Sequence, residues 1–227
     1  MRALVFFLLF TISAFAKEVI VFDFGGVVGK VNRKPILQQM AHNLDIPYNH
    51  IKVAMAGDHF YQALKQDLKF WQDFALAHDR TLPQDWTRKL ATYRAAVVTR
   101  VPGTAEIIEE LKMEGYQVAL LSNTKQDRAN FLRAQGYYDS FDPVLVSCEM
   151  GTKKPLAPAF HQLIERVNTE PNNIIFIDNK RTNVHAAKRA GIDAIHFTSA
   201  ESLQKSLAQK KILNSPQQQQ KPWQAND

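Results

Sequence analysis

The sequence has only one cysteine, Cys148, among its 227 residues, and this scarcity excludes two kinds of stabilising site. No disulfide can form within the chain, and a zinc cluster built on cysteine ligands is excluded as well. The seven histidines are scattered and do not have the spacing of metal ligands. The chain must therefore be stabilised by a hydrophobic core, which is feasible at this length.

Long hydrophobic runs and blocks of a single charge are also missing. The apolar run at residues 3–10 is much shorter than the roughly 20 residues that a membrane-spanning helix needs. The 28 Lys and Arg residues exceed the 22 acidic residues and give a net charge of +6, but they are spread along the chain without a nucleic-acid-binding motif. We therefore expect no nucleic-acid partner, whereas a mild positive surplus favours phosphorylated substrates.

The first 16 residues have the pattern of a secretory signal peptide. Arg2 supplies a positive charge, a short apolar run follows, and Ala14 and Ala16 form a small-residue cleavage site before Lys17. The alternatives are a buried first strand and a membrane anchor, but a better strand follows at once and the apolar run is short. We expect cleavage after Ala16 and a periplasmic or secreted protein that keeps no stable membrane anchor.

The rest of the chain predicts an α/β fold with a helical insertion. Residues 19–22 form a continuous apolar run, typical of a strand buried on both faces. Residues 32–99 have helical periodicity and little strand signal, which predicts a separate helical lobe. Strands and helices alternate from residue 100 to residue 213, as in a Rossmann-like parallel sheet flanked by helices. Residues 214–227 contain four consecutive glutamines and predict a disordered tail.

Four polar side chains follow the predicted strands. Asp23, Ser122 and Asp178 each come directly after a strand, and Lys154 follows the strand that ends near Val146. Because ligands of open parallel sheets bind beyond the carboxyl ends of the strands, these side chains are expected to converge. Carboxylates suit Mg²⁺, while a lysine and a hydroxyl suit phosphoryl oxygens.

The ordered motifs resemble those of the haloacid dehalogenase superfamily. They are Phe22-Asp23-Phe24-Gly25-Gly26-Val27, Leu121-Ser122-Asn123, Lys154-Pro155, and Ile177-Asp178-Asn179 followed by Asn183. The resemblance covers nearly the whole chain after residue 16, and it places the type 1 helical cap of that family at residues 32–99. It implies a core formed by residues 17–31 and 100–213.

This resemblance implies a phosphatase that acts on small phosphorylated metabolites. Asp23 would attack phosphorus and form an aspartyl-phosphate. Ser122 and the amide of Asn123 would bind the transferring phosphoryl group, and Lys154 would balance the charge of nucleophile and phosphate.

The same resemblance implies a Mg²⁺ site. Its protein ligands would be Asp178, a carboxylate oxygen of Asp23 and the main-chain carbonyl of Gly25, and the ion would reduce the repulsion between Asp23 and the phosphoryl group.

Two positions depart from the usual phosphatase pattern. Gly25 stands where these phosphatases usually have a second Asp that acts as general acid and base, and Asn179 replaces a frequent acidic residue. General acid–base catalysis contributes roughly 10²–10⁴-fold, so its loss predicts slow turnover, a good leaving group or a replacement acid from the cap. A weakly active or inactive protein that only binds its ligand is one alternative.

A 2-haloacid dehalogenase is a less favoured alternative. Such enzymes share the Asp nucleophile but need no metal, and they carry an uncharged residue at the position of Asp178. The acidic residue at this position therefore argues for the metal-dependent phosphatase.

Overall fold

The fold is organised around a central strand, β1, in which every residue of the run Val19–Phe22 is buried. A computed structural model describes residues 17–57, 59–65 and 68–214. The predicted signal peptide and all but the first residue of the predicted tail lie outside these residues. Within them, no helix is both long enough and apolar enough to cross a membrane.

Five parallel strands form the main sheet, in the order β5-β4-β1-β6-β7. These strands are β1 (Val19–Phe22), β4 (Gln117–Ser122), β5 (Val144–Val146), β6 (Ile174–Asp178) and β7 (Asp193–His196). The predicted α/β fold with a Rossmann-like sheet is confirmed.

Eleven helices are described, together with a 3-10 turn at Pro171–Asn173. They are α1 (Arg33–Leu44), α2 (Tyr48–Ala54), α3 (His59–Ala63), α4 (Leu68–Leu76), α5 (Trp86–Ala96), α6 (Thr104–Met113), α7 (Gln126–Ala134), α8 (Ser147–Met150), α9 (Ala157–Val167), α10 (Arg181–Arg189) and α11 (Ala200–Gln209). Two of these helices, α8 and α11, were not predicted from the sequence pattern.

The two faces of the sheet are buried in separate hydrophobic clusters. Ile20 and Phe22 of β1 belong to a large cluster that extends into the helical segment. Val19 and Val21 point to the opposite face, where the cluster includes Phe160 of α9. Successive side chains of a strand point to opposite faces, so burial on both faces accounts for the unbroken apolar run in β1.

Helices α1 to α5 lie between two short strands that pair antiparallel, β2 (Gly29–Val31) and β3 (Val98–Arg100). The pairing brings the start and the end of the helical segment together, directly after β1 and before α6. Gly29 is required at this crossing, because a Cβ there would lie 2.9 Å from a methyl group of Val98. The strands are only three residues long, and the sequence pattern did not predict them.

Aromatic side chains form the interior of the helical segment. The rings of Trp71 and Trp86 lie 5.1 Å apart, and Trp86 also contacts Tyr93 at 5.9 Å. The indole N–H of Trp71 donates to the carbonyl of Ala63 at 3.0 Å, so its polar atom is satisfied inside the apolar interior. These rings pack helices α4 and α5 against each other.

Candidate active site

Three of the predicted site residues lie at the carboxyl edge of the sheet because parallel strands end there together. Asp23 follows β1, Ser122 ends β4 and Asp178 ends β6, and all three are buried. The amide of Asp23 donates to the carbonyl of Ile177 at 2.8 Å, which fixes the first turn after β1 against β6.

Lys154 joins the two carboxylates. Its Nζ lies 2.7 Å from Oδ1 of Asp23 and 2.8 Å from Oδ2 of Asp178, and it also donates to the carbonyl of Leu121. Lys154 is 2% exposed and Asp178 is 0% exposed. The convergence predicted for these residues is therefore present, and the cluster of two carboxylates and one ammonium keeps a net negative charge.

The carboxylate of Asp178 is held on both oxygens. Oδ1 accepts from the main-chain amide of Lys180 at 2.7 Å, and Oδ2 accepts from Nδ2 of Asn183 at 2.8 Å as well as from Lys154. Asn183 is buried in the first turn of α10. Its side chain therefore orients Asp178.

The side chain of Asn123 forms hydrogen bonds with the main chain of Lys154. Its Nδ2 donates to the carbonyl of Lys154 at 2.8 Å, and its Oδ1 accepts from the amide of Lys154 at 3.0 Å. The side chain thus ties the end of β4 to the loop that carries the lysine. The main-chain amide of Asn123, which is predicted to bind the phosphoryl group, does not take part in this pair.

The sequence model of the haloacid dehalogenase-like hydrolases matches residues 17–191 and so includes every residue of this cluster. The chain belongs to the haloacid dehalogenase-like (HAD-like) hydrolases. This match confirms the family expected from the four motifs.

Curated relatives of this HAD-like hydrolase include several named phosphatases. A sesquiterpene phosphatase of Aspergillus oryzae is 30% identical over 95 residues, which are 41% of this chain and 48% of that protein. A glyceraldehyde 3-phosphate phosphatase of Methanothermobacter thermautotrophicus is 29% identical over 107 residues, 46% of this chain and 47% of that protein. The chain thus spans about half the length of these relatives.

Solved structures share the fold at low identity. A HAD phosphatase from Thermococcus onnurineus has a TM-score of 0.55 and 18% identity, covering 84% of this chain and 97% of that chain. A HAD family enzyme from Bacteroides thetaiotaomicron, solved as a magnesium complex, has a TM-score of 0.52 and 20% identity, covering 81% of this chain and 94% of that chain.

The cluster in this HAD-like hydrolase fits a hard divalent cation such as Mg²⁺. One ammonium faces two buried carboxylates, and burial together with the neighbouring charge of Asp178 raises the pKa of Asp23 although Lys154 lowers it. A cation beside these oxygens would favour the charged form of Asp23. Oδ1 of Asn179 is buried with no hydrogen-bond partner among the described residues, as suits an acceptor for water on such an ion.

The ligand set for such an ion is small. In the described part of the chain, no group of three or more His, Cys, Asp or Glu side chains is placed to hold a metal. Asp23 and Asp178 would therefore have to be completed by a main-chain carbonyl, such as that of Gly25, and by water. Mg²⁺ accepts this arrangement, since it usually keeps several waters in protein sites.

Two adjacent glycines shape the turn after Asp23. A Cβ at Gly25 would lie 3.7 Å from Oδ2 of Asp23, which is an ordinary contact, so a side chain at this position would stand beside the carboxylate. Gly26 has φ of +86°, and a Cβ there would lie 2.4 Å from Nδ2 of Asn179. Position 25 therefore has room for an acidic side chain, although the residue there is glycine.

Proposed function

We propose that this HAD-like hydrolase is a Mg²⁺-dependent phosphomonoesterase of small phosphorylated metabolites. The observation that carries the proposal is the single ammonium of Lys154 between the carboxylates of Asp23 and Asp178, at the edge where ligands of parallel sheets bind. The names of the curated relatives, which include phosphatases of carbohydrate, triose and flavin phosphates, support the same class of reaction.

In the proposed reaction, a carboxylate oxygen of Asp23 attacks the phosphorus atom and the bond to the substrate oxygen breaks, which leaves an aspartyl-phosphate. Water then attacks this phosphorus, releases inorganic phosphate and regenerates Asp23. Ser122 and the amide of Asn123 hold the transferring phosphoryl oxygens, and Lys154 compensates the charge of nucleophile and phosphate. When bound, Mg²⁺ supplies Lewis-acid neutralisation of the phosphoryl group.

The leaving oxygen must take its proton from a source other than residue 25. Gly25 carries no acid, so the departing group takes a proton from water or from a replacement acid of the helical segment, or leaves without one. Reactive esters and acyl phosphates, whose leaving groups need little protonation, are therefore the substrates that we expect to turn over fastest.

The buried charge at Asp178 argues against a haloacid dehalogenase. A metal-free displacement of halide does not need a second carboxylate next to the nucleophile, and a buried carboxylate is costly unless it is paired and hydrogen-bonded. Lys154 and Asn183 bind this carboxylate in the present chain, as expected where it also serves a cation.

Export is the second part of the proposal and concerns residues 1–16. We expect these residues to be removed, so that the mature protein begins at Lys17 and is periplasmic or secreted. Expression of the full chain in a bacterial host followed by intact mass measurement tests this directly. A mature protein that retains Met1 to Ala16 overturns it.

A phosphate-release screen tests the enzymatic proposal. Purified protein is assayed with and without Mg²⁺, against phosphomonoesters, acyl phosphates and a chloroacid, beside Asp23→Asn. We expect phosphate release that needs Mg²⁺ and is lost in Asp23→Asn. Absence of release from every substrate, with the protein folded, favours the alternative of a binding protein, and halide release without metal favours the dehalogenase.

A further inference from the structure

A cationic pocket lies next to the proposed phosphoryl site, between the helical segment and the sheet. It has a volume of about 330 Å³. Its walls include Arg33 and Tyr61 from the helical segment and Asn123, Thr124, Arg128 and Ser147 from the α/β part. Asn123 belongs both to this pocket and to the hydrogen-bonded pair with the main chain of Lys154, so the pocket adjoins the end of β4 at Ser122.

Two polar groups in this pocket are buried without a partner. The hydroxyl of Tyr61, a residue that is 1% exposed, has no hydrogen-bond partner among the described residues. The Nε–H of Arg128 is likewise buried and unpartnered within the described part of the chain. Buried donors are almost always satisfied in proteins, and an acceptor that reaches into the wall of this pocket would satisfy these two.

The positive charge of the pocket indicates that an acceptor bound there is an anion. The half-buried guanidinium of Arg33 lies over the ring of Tyr61 at 4.7 Å and over that of Phe60 at 4.8 Å, which holds it at the rim. Lys125 adds a further cation to the lining, at the positively polarised start of α7. Guanidinium groups and a tyrosine hydroxyl together match the oxygens of a carboxylate or a phosphate.

We infer that the substrate carries a second anionic group, a carboxylate or a phosphate, which Arg33, Arg128 and Tyr61 bind in this pocket while the first phosphate is cleaved at Asp23. This inference rests on the proposed phosphatase function, and it makes Arg128 and Tyr61 determinants of substrate specificity. It also gives the helical segment a chemical role, since Arg33 and Tyr61 both belong to it.

Three esters with a common three-carbon scaffold test the inference. The three compounds carry a phosphate ester on one terminal carbon and differ at the other. That carbon bears a hydroxyl in glycerol phosphate, is a carboxylate in phosphoglycerate, and bears a second phosphate in glycerol bisphosphate. We expect kcat/KM to be about tenfold or more higher for at least one of the two esters with an anionic tail than for glycerol phosphate. Which of the two is favoured identifies the anion, and equal values for all three overturn the inference.

Variants test which residues produce the preference for esters with a charged tail. Arg128→Gln and Tyr61→Phe are expected to bring the ratio of kcat/KM between the charged and neutral esters to within about threefold of one, mainly through KM. Arg133→Gln is the matched control, because Arg133 lies on the same helix but pairs with Glu149 at 2.9 Å outside the pocket. A merely structural role for Arg128 predicts equal loss on all three esters, and that result overturns the inference.

A binding measurement separates this inference from the proposed function. Calorimetric titration of Asp23→Asn with the same esters in Mg²⁺ needs no turnover. Tighter binding of a charged-tail ester, lost in the double variant Asp23→Asn/Arg128→Gln, supports the pocket even if the wild type releases no phosphate. Equal binding of all three esters overturns the pocket even if phosphate is released.

Discussion

The side chain of Asn123 and the main chain of Lys154 form a reciprocal pair of hydrogen bonds, at 2.8 and 3.0 Å. The pair joins residues 31 positions apart and sets the point from which the lysine side chain reaches both carboxylates. Lys154 lies in a loop and not in a strand, so its position depends on this link more than that of Asp23 or Asp178 does. Asn123 therefore acts as a positioning residue for Lys154.

Replacement of Asn123 by alanine should weaken both the fold and the site. Two hydrogen bonds of roughly 0.5–1.5 kcal/mol each are lost, so we expect the free energy of unfolding to fall by about 1–3 kcal/mol, and kcat to fall with it. Urea unfolding and phosphate release measure the two effects. Asn130→Ala removes an exposed bond to Gln126 and should change neither, and equal behaviour of the two variants would contradict the positioning role.

Lys154→Met should be the most damaging single change in the cluster. It leaves two buried carboxylates without their counter-charge, which costs about 3–5 kcal/mol of unfolding free energy, and the pKa of Asp23 should rise further. We also expect activity to be lost. Thermal unfolding with Lys153→Met as control checks this, since Lys153 is exposed and its replacement should cost less than about 0.5 kcal/mol. Equal melting temperatures for the two variants would refute the importance of the ion-pair cluster.

Gly25→Asp should increase turnover of substrates with poor leaving groups. The position has space beside Asp23 and no positive φ, so the backbone accepts an aspartate, and its carboxyl group would supply the missing general acid. General acid catalysis is worth roughly 10²–10⁴-fold, and we expect kcat for alkyl phosphates to rise by at least about 10²-fold at the lower end of this range. Gly25→Asn has nearly the same shape but no transferable proton, so a gain shared by both variants would rule out acid catalysis as the cause.

Gly26→Ala should destabilise the protein more than Gly57→Ala does. Both glycines have positive φ, +86° and +62°, and alanine in this region costs about 1–2 kcal/mol. Only Gly26 also faces a close atom, Nδ2 of Asn179, whereas a Cβ at Gly57 would meet nothing within 4 Å. We expect Gly26→Ala to show the larger loss in denaturant unfolding and a loss of Mg²⁺-dependent activity. Equal losses would mean that the contact with Asn179 is unimportant.

The sequence predicted the sheet and the convergence of Asp23 with Asp178 for a specific physical reason. Strands buried on both faces produce unbroken apolar runs such as Val19–Phe22, and the polar residue after each run then marks the same edge of a parallel sheet. Asp23 and Asp178 follow from this pattern with no further information. The rest depends on tertiary contacts that leave no periodic signal.

Three features of the structure could not be predicted from sequence patterns. Strands β2 and β3 are three residues each and pair across the whole helical segment, so neither has a recognisable run of its own. The side chain of Asn183 contacts Asp178 from the next helix, and an isolated asparagine does not reveal its partner. The pocket formed by Arg33, Tyr61 and Arg128 combines two distant segments, and scattered basic residues look like ordinary surface charge.

Detection of phosphate on Asp23 tests the central claim most directly. The wild-type protein is mixed with acetyl phosphate and Mg²⁺, quenched in acid during turnover, digested and analysed by mass spectrometry, with Asp23→Asn treated in parallel. The proposed mechanism predicts one phosphoryl group on the peptide that contains Asp23, located at that residue, and none in Asp23→Asn. Phosphate release by the wild type without any phosphorylated Asp23, or continued release by Asp23→Asn, would contradict it.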